Sequence, residues 1–302
     1  MKDDFVPAGL TYMKKEFPIY DICRFSLTLE EDVTISNLAV YLKNLKSLHF
    51  PHRHDFYHLM LFTRGAGSHS IDFQQFSVKP YHFYFMAPGQ VHNWHFEGDI
   101  DGYVINFSAV FFKSFLLDDE YLEQFAFLSG NVNYSVIDLT EELQPDVIRT
   151  IDRAVLEANT VHPFRLDSIR IMLLDLFILL AKVSKENEGL KLPENQPRAT
   201  LKKFEKLIEK EYQTMRLPKQ YAEKLFISPG YLNTICQDVL GISAGDMIRN
   251  RIILEAKRML VNLSLTVSEI AWNLNFADNS HFCKFFKNHV GMSPKSFRKH
   301  TA

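Results

Sequence analysis

Cysteine is scarce in this chain of 302 residues: Cys23, Cys236 and Cys283 are odd in number, widely scattered and without metal-ligand spacing. A disulfide scaffold is therefore not expected, and the usage fits a reducing cytosol. Also missing is any N-terminal stretch joining a basic flank, an apolar run and a small-residue cleavage site, so a secretory signal is not expected and a cytoplasmic location is. Long apolar runs are lacking as well. The most apolar segment, Ile169 to Val183, carries Arg170 and Asp175 and is too short to span a bilayer. It reads as a buried helix, and no membrane partner is expected.

What is present points to two domains. The length is generous for one core, and a hydrophobic fraction of 46% is ordinary for a globular protein. The net charge of -2 conceals an asymmetry. Residues 198–302 hold 17 Lys+Arg against 9 Asp+Glu, a net of +8, whereas residues 1–197 hold 17 against 27, a net of -10. A basic C-terminal third on an acidic body is the electrostatic footprint of a nucleic-acid-binding domain attached to something else.

To about residue 135 the chain reads as β. Tyr81–Ala87 and Gly102–Phe107 are aromatic and β-branched runs, with turn signals at Arg64-Gly65-Ala66-Gly67 and Pro88-Gly89. Many short strands of this kind suggest a sandwich or barrel. From Leu143 the period changes to that of helices, over Pro145–Thr160 and Arg165–Lys185. The second is apolar on every side, with Ile171, Leu174 and Ile178 opposite Ile169, Leu173, Leu176 and Leu180, so a second packing surface is expected within the domain or against another subunit. The polar stretch 186–200, with its prolines, reads as a linker. The expected division is 1–185, a linker over 186–200, and a helical domain over 201–302.

The helical domain repeats itself at about 50 residues. Ala222, Leu225, Leu232, Ile235 and Val239-Leu240-Gly241-Ile242-Ser243 are answered by Ala271, Leu274, Phe282, Phe285 and His289-Val290-Gly291-Met292-Ser293, the second copy being one residue longer in its turn. Each copy has the mechanics of a helix-turn-helix. A small alanine permits close helix approach, and a capping residue (Ser228 before Pro229; Asp278 or Asn279) opens a new helix. That helix needs an apolar back, here Leu232 and Ile235, then Phe282, Phe285 and Phe286. Its front must suit a major groove, as Ser280, His281, Lys284 and Lys287 do. His281 and Cys283, two apart on a helix, do not share a face as metal ligands would.

The stretch Val267 to His300, with the preceding Leu217–Leu260, resembles the signature of AraC/XylS-family regulators over about a hundred residues. The resemblance implies two reading helices joined by a long helix near Asp246–Val261. The family's base-contacting positions fall on Gly230, Asn233 and Thr234, and on Ser280 and Lys284, with Tyr231, Gln237, Asn279 and His281 on the same faces. Asn233 can pair bidentately with adenine. Lys287, Lys295 and Arg298 suit phosphates. The chain departs from the family at Asn275, which replaces a glycine but tolerates a left-handed turn. It departs again at Cys236-Gln237, which replaces Phe-Lys, and at Thr234, which replaces an arginine. These make the first motif the weaker reader.

In the first half, His52-Arg-His54 followed by His58 and Gly65 matches the spacing of the first cupin motif, and Pro88-Gly89-Gln90-Val91-His92 looks like the second. His58 stands at the glutamate position and Phe96 at the asparagine position. Strand alternation places residues 52, 54 and 58 on one face. The four imidazoles can in principle hold zinc or iron. Sensor domains of the resembled family keep this frame without metal, so no cofactor is expected, and His52, His54, Tyr57, His58, His92 and Trp94 are expected to line an effector pocket. A small organic effector, a sugar or an aromatic compound, suits such walls. Alternation admits only half of Tyr57, Phe83, Phe85, Trp94 and Tyr103 to an interior.

The expected fold is α+β: a cupin-like β-barrel followed by helices, then an all-α domain with two helix-turn-helix motifs. The expected function is a sequence-specific transcriptional regulator without catalytic residues. Its expected partners are double-stranded DNA, RNA polymerase and a second copy docked through residues 165–185. A cupin enzyme fused to a DNA-binding module is the alternative from another class.

Overall fold

The computed structural model describes residues 19–20, 32–44, 51–118, 121–183 and 196–301. Cys23 and most of the expected linker, residues 186–195, lie outside them. The chain divides into two compact units between Thr200 and Leu201.

The first unit is built on an eight-stranded sheet: β1 (Ile19–Tyr20), β2 (Val33–Asn37), β3 (His52–His54), β4 (Tyr57–Ile71), β5 (Gln74–Ser77), β6 (His82–Met86), β7 (Val91–Phe107) and β8 (Val136–Asp138). Helix α1 (Leu38–Asn44) follows β2, and α2 (Gln144–Ala158) and α3 (Arg165–Ala181) close the unit. The order across the sheet is β1-β3-β7-β4-β6-β8, with β2 on β7 and β5 on β4. The expected run Gly102–Phe107 is only the last third of β7.

Alternation sorts the central strands into two apolar layers, which is why their sequences read as nearly continuous apolar runs. Leu59, Leu61, Phe83, Phe85, Ile105 and Phe107 face one way and pack with Val147, Ile151 and Ala154 of α2 and Ile169, Leu173, Leu176, Phe177 and Leu180 of α3. Met60, Phe62, Tyr84, Met86, Trp94 and Val104 face the other way, with Leu38 and Tyr41 of α1. Tyr103 joins the helical side, donating from its hydroxyl to Asp152 at 2.7 Å.

The expected turn at Arg64–Gly67 is absent: these residues lie inside β4. The pairing with β7 shifts register between Phe62 and Arg64 and again between Arg64 and Ala66, which bends the strand without ending it. Glycine is required there. A Cβ on Gly67 would stand 2.1 Å from the His95 carbonyl oxygen, and one on Gly102 would stand 1.9 Å from that of Leu61.

The second unit is helical: α4 (Gln196–Glu211), α5 (Pro218–Lys224), α6 (Pro229–Leu240), α7 (Ala244–Val261), α8 (Val267–Asn273), α9 (Asn279–Val290) and α10 (Pro294–Thr301). Helix α4 begins within the segment read as linker. Ala222 and Ala271 are buried where α5 and α8 approach their partner helices. Ile248, Ile252, Ala256 and Leu260 give α7 a buried face. The two copies are tied together by Arg216, whose guanidinium donates to the Leu274 carbonyl and lies 4.1 Å from the Phe276 ring centroid.

Candidate nucleic-acid interface and buried histidine cluster

Helices α6 and α9 follow turns of unequal length, residues 225–228 and 274–278. In both turns one non-glycine residue takes a left-handed conformation, Phe226 at φ 57° and Asn275 at φ 55°. Each helix then opens on a side-chain cap. Ser228 Oγ accepts from the Tyr231 N–H at 3.1 Å, and Asp278 Oδ1 accepts from that of His281 at 2.7 Å. Asp278, rather than Asn279, is the cap.

The two reading helices are buried on one side and exposed on the other. Leu232, Ile235 and Cys236 back α6, and Phe282 and Phe286 back α9, with Phe285 half-buried against Phe276. Burial pushes the Cys236 thiol up to about 11, so it packs as a small neutral side chain. Gly230, Tyr231, Asn233, Thr234 and Gln237 are exposed on α6; Asn279, Ser280, His281, Lys284 and Lys287 are exposed on α9, and Lys295 is exposed on α10.

Two expected contact residues are engaged elsewhere. Asn233 Oδ1 accepts from the Ala244 N–H at 3.2 Å, where α7 begins, and bidentate pairing with adenine needs that oxygen free. Arg298 is half-buried and donates from Nε to the Leu260 carbonyl at 3.0 Å, fastening α10 to the end of α7. Arg251 is likewise structural, held by Glu209 at 2.8 Å and Glu255 at 3.0 Å. His281 is exposed and Cys283 half-buried, in keeping with their different faces.

In the first unit, β3, β4 and β7 bring five imidazoles into one buried cluster. His52, His54, His58, His69 and His92 are all nearly inaccessible. Ring centroids lie 4.3 Å apart for His52–His92, 5.0 Å for His54–His92, 4.8 Å for His54–His58 and 5.2 Å for His58–His92. His69 stands 5.5 Å from His92 and hydrogen-bonds it, Nε2 to Nδ1, at 3.2 Å. His58 and His69 belong to the same strand, and eleven residues of straight strand would separate them by about 36 Å. Their common neighbour His92 shows how tightly β4 curls, and the sheet wraps this cluster as a barrel wall does.

Burial holds all four of the central rings neutral. It pushes His58 and His69 down to about 3 and lowers His54 and His92 well below the ordinary imidazole value, neighbouring imidazoles adding to the effect. His58 Nδ1 meets Asn106 Oδ1 at 2.6 Å, and the Asn106 amide nitrogen donates to Thr34 Oγ1 at 3.0 Å. Trp94 closes the group, 5.4 Å from His52 and 5.3 Å from His92. Tyr57, expected in this company, points from the other face of β4 and stacks on Phe107 at 4.8 Å.

His69 is the member that sequence reasoning missed. On β4 the inward positions 58, 60 and 62 are even, but beyond the bulges they become 69 and 71. The irregularity between Phe62 and Arg64 puts one extra residue on β4 and moves its following side chains to the opposite face, whereas the one between Arg64 and Ala66 puts its extra residues on β7 and leaves the alternation of β4 unchanged. The pair of glycines that permits the bulges was the signal available, and it reads equally well as a turn.

Comparison with known proteins agrees with both halves. Residues 40–174 match the family model described as AraC-like ligand binding domain, and residues 221–300 match that described as helix-turn-helix domain. The Msm operon regulatory protein of Streptococcus mutans is 30% identical over 131 residues, covering 43% of this chain and 47% of that protein. Regulatory protein PocR of Salmonella typhimurium is 26% identical over 78 residues, 26% of either chain. The matched stretches thus span about half or less of these curated relatives. Among solved structures, the C-terminal domain of the response regulator yesN from Fusobacterium nucleatum is 27% identical with a TM-score of 0.31, covering 33% of this chain and 98% of that one. ToxT from Vibrio cholerae is 10% identical with a TM-score of 0.45, covering 90% and 100%. No enzyme family is among the matched models, and no helix among the described residues is long and apolar enough to cross a membrane. The two model matches together take in more than two thirds of the chain, one for each half, and the chain belongs to the AraC family of transcriptional regulators.

Proposed function

We propose that this protein is a sequence-specific regulator whose hold on DNA responds to a small-molecule effector received inside the N-terminal barrel. The observation that carries the DNA half is the paired construction of α6 and α9, each capped at its N-terminus, apolar behind and polar in front, within the basic part of the chain. Such a helix fits a major groove with its first turns against base edges. Gly230, Tyr231, Thr234 and Gln237 form the first reading surface; Asn279, Ser280, His281 and Lys284 form the second. Lys287 and Lys295 contact phosphates, which gives affinity that falls with salt. Asn233 braces the first surface against the start of α7, and Arg298 fastens α10 to the end of α7.

The effector half rests on the match to a ligand-binding domain and on an interior with polar atoms to offer. His58 Nε2, His92 Nε2, His69 Nδ1 and Trp94 Nε1 are buried there without a hydrogen-bond partner, and an interior polar group left so is unfavourable until a ligand meets it. We assign the effector-binding and dimerisation domain to residues 1–185 and the DNA-binding domain to 201–302. The homodimer forms through 165–185, where Ile171 and Ile178 remain exposed on α3. RNA polymerase is the expected partner at the promoter.

The test is selection of binding sites from random DNA by the full-length protein, repeated with Lys284→Ala. A single enriched motif that the variant binds about 10- to 100-fold more weakly is expected. Enrichment without a motif would remove the sequence-specific reading. Unchanged affinity in the variant would take Lys284 out of the contact set.

A further inference from the structure

The two helix-turn-helix copies place corresponding residues in the same local structure. A difference between them that the fold does not require therefore answers to something outside the chain. Counted from the caps Ser228 and Asp278, Gly230 corresponds to Ser280, Asn233 to Cys283 and Thr234 to Lys284. The fold explains Asn233. Its Oδ1 accepts from the Ala244 N–H at 3.2 Å, and the residue matching Ala244 is Pro294, which has no N–H to satisfy.

Gly230 has no such explanation. It lies in the first turn of α6, where glycine is a poorer helix former than alanine. Its φ is not positive, and a Cβ placed on it would meet nothing within 4 Å outside its own stretch of helix. Neither backbone geometry nor packing asks for the missing side chain. The residue is exposed, on the side of α6 opposite Leu232, Ile235 and Cys236.

We propose, on the basis of the regulatory reading, that Gly230 lets α6 seat closely on an A·T base pair, the thymine methyl group taking the space of the missing side chain, and that Gly230 with Thr234 sets the base preference of α6.

The chemistry of the groove supports this pairing. In the major groove thymine presents a C5 methyl group beside an acceptor oxygen, and no other unmodified base presents an apolar group there. Gly230 and Thr234 are four residues apart and share a face, with bare backbone at one position and a methyl group and hydroxyl at the other. Neither is a cation, so the two acceptors of guanine find no matching donor pair. On α9 the same two places hold Ser280 and Lys284, a hydroxyl and an ammonium, which suit those acceptors. Close approach matters most in the first turn of a reading helix, the part nearest the base edges. The backbone around Gly230 is also held in place: Pro229 fixes its own φ, and Ser228 Oγ accepts from the Tyr231 N–H at 3.1 Å across the glycine. The missing side chain thus removes bulk without loosening the helix start.

The test uses the full-length protein and the DNA motif returned by selection from random sequence. Two half-sites about one helical turn apart are expected. The half-site whose preference Lys284→Ala leaves unaltered belongs to α6, and it should hold an invariant T·A pair. Gly230→Ala should raise the thermal midpoint of the helical unit by a few degrees while binding the motif about 10-fold more weakly. Deoxyuridine in place of the invariant thymine removes only the methyl group. It should weaken wild-type binding about 4-fold and affect the Gly230→Ala variant less. Unchanged wild-type affinity for the deoxyuridine DNA would overturn the proposal. So would a Gly230→Ala variant that binds as tightly as wild type, one that loses affinity equally for all sequences, or one with a lowered midpoint. A motif with any of these results removes this inference alone, whereas enrichment without a motif removes the regulatory reading beneath it as well.

Discussion

At the scale of single residues, the two turns of the helical unit make an instructive pair. Asn275 and Phe226 hold nearly the same left-handed backbone, but asparagine does so readily and a bulky aromatic does not. Phe226 is also 96% exposed, so its ring recovers little by packing. Phe226→Gly should therefore raise stability by about 1 kcal/mol, read as a higher urea midpoint at unchanged slope. A fall in midpoint would show that the exposed ring makes a contact worth more than the backbone strain. The tolerance of Asn275 was legible in the sequence because it depends on local chemistry. The engagement of Asn233 by Ala244 was not, since it depends on where the next helix begins.

Among elements, the helices were the most legible and the bent strands the least. The period of three and four residues in Arg165–Lys185 yields α3 with small changes at its ends, and Ser228-Pro229 marks the start of α6 to the residue. A glycine pair inside a strand reads as a turn by local rules, so β4 looked like two short strands and the inward face of its far half, His69 included, stayed hidden. Two expectations belong to this scale. Asp278→Ala removes the cap of α9 and should destabilise the helical unit by about 1 kcal/mol while weakening DNA binding more than Ser228→Ala does. Equal losses from the two substitutions would contradict the ranking of α9 as the stronger reader. Helix α3 presents Ile171 and Ile178 two turns apart, with half-buried Leu174 between them. If α3 carries the proposed homodimer, Ile171→Glu with Ile178→Glu should leave a monomer in analytical ultracentrifugation where the unaltered protein is a dimer. A dimer of undiminished affinity would move the interface elsewhere.

The whole molecule combines a neutral, buried imidazole cluster with an exposed, basic face on α9, and acid should affect the first before the second. His58 and His69 are held down to about 3 in the folded barrel, chiefly by burial, against an ordinary value of 6.5. The unfolded chain therefore takes up protons first as the pH falls. Stability should be complete above about pH 6.5 and decline toward pH 3, by about 1.4 kcal/mol per pH unit for each such histidine. Fluorescence of buried Trp94 in a Trp272→Phe background reports the barrel alone, the chain having two tryptophans. A urea midpoint that stays level from pH 7 to pH 4 would refute the expectation.

The two reading helices are also unlike each other. On α6 the forward residues are a glycine, a tyrosine, a threonine and a glutamine, and on α9 they include His281, Lys284 and Lys287. Their order along the chain never changes. A DNA segment gripped by one copy therefore has a head and a tail, as an arrow has, and is not its own mirror. Turning that segment around within a promoter, at constant distance from the gene, would exchange which of the two helices lies nearer the gene, and transcription should respond to the direction of the site as well as to its presence.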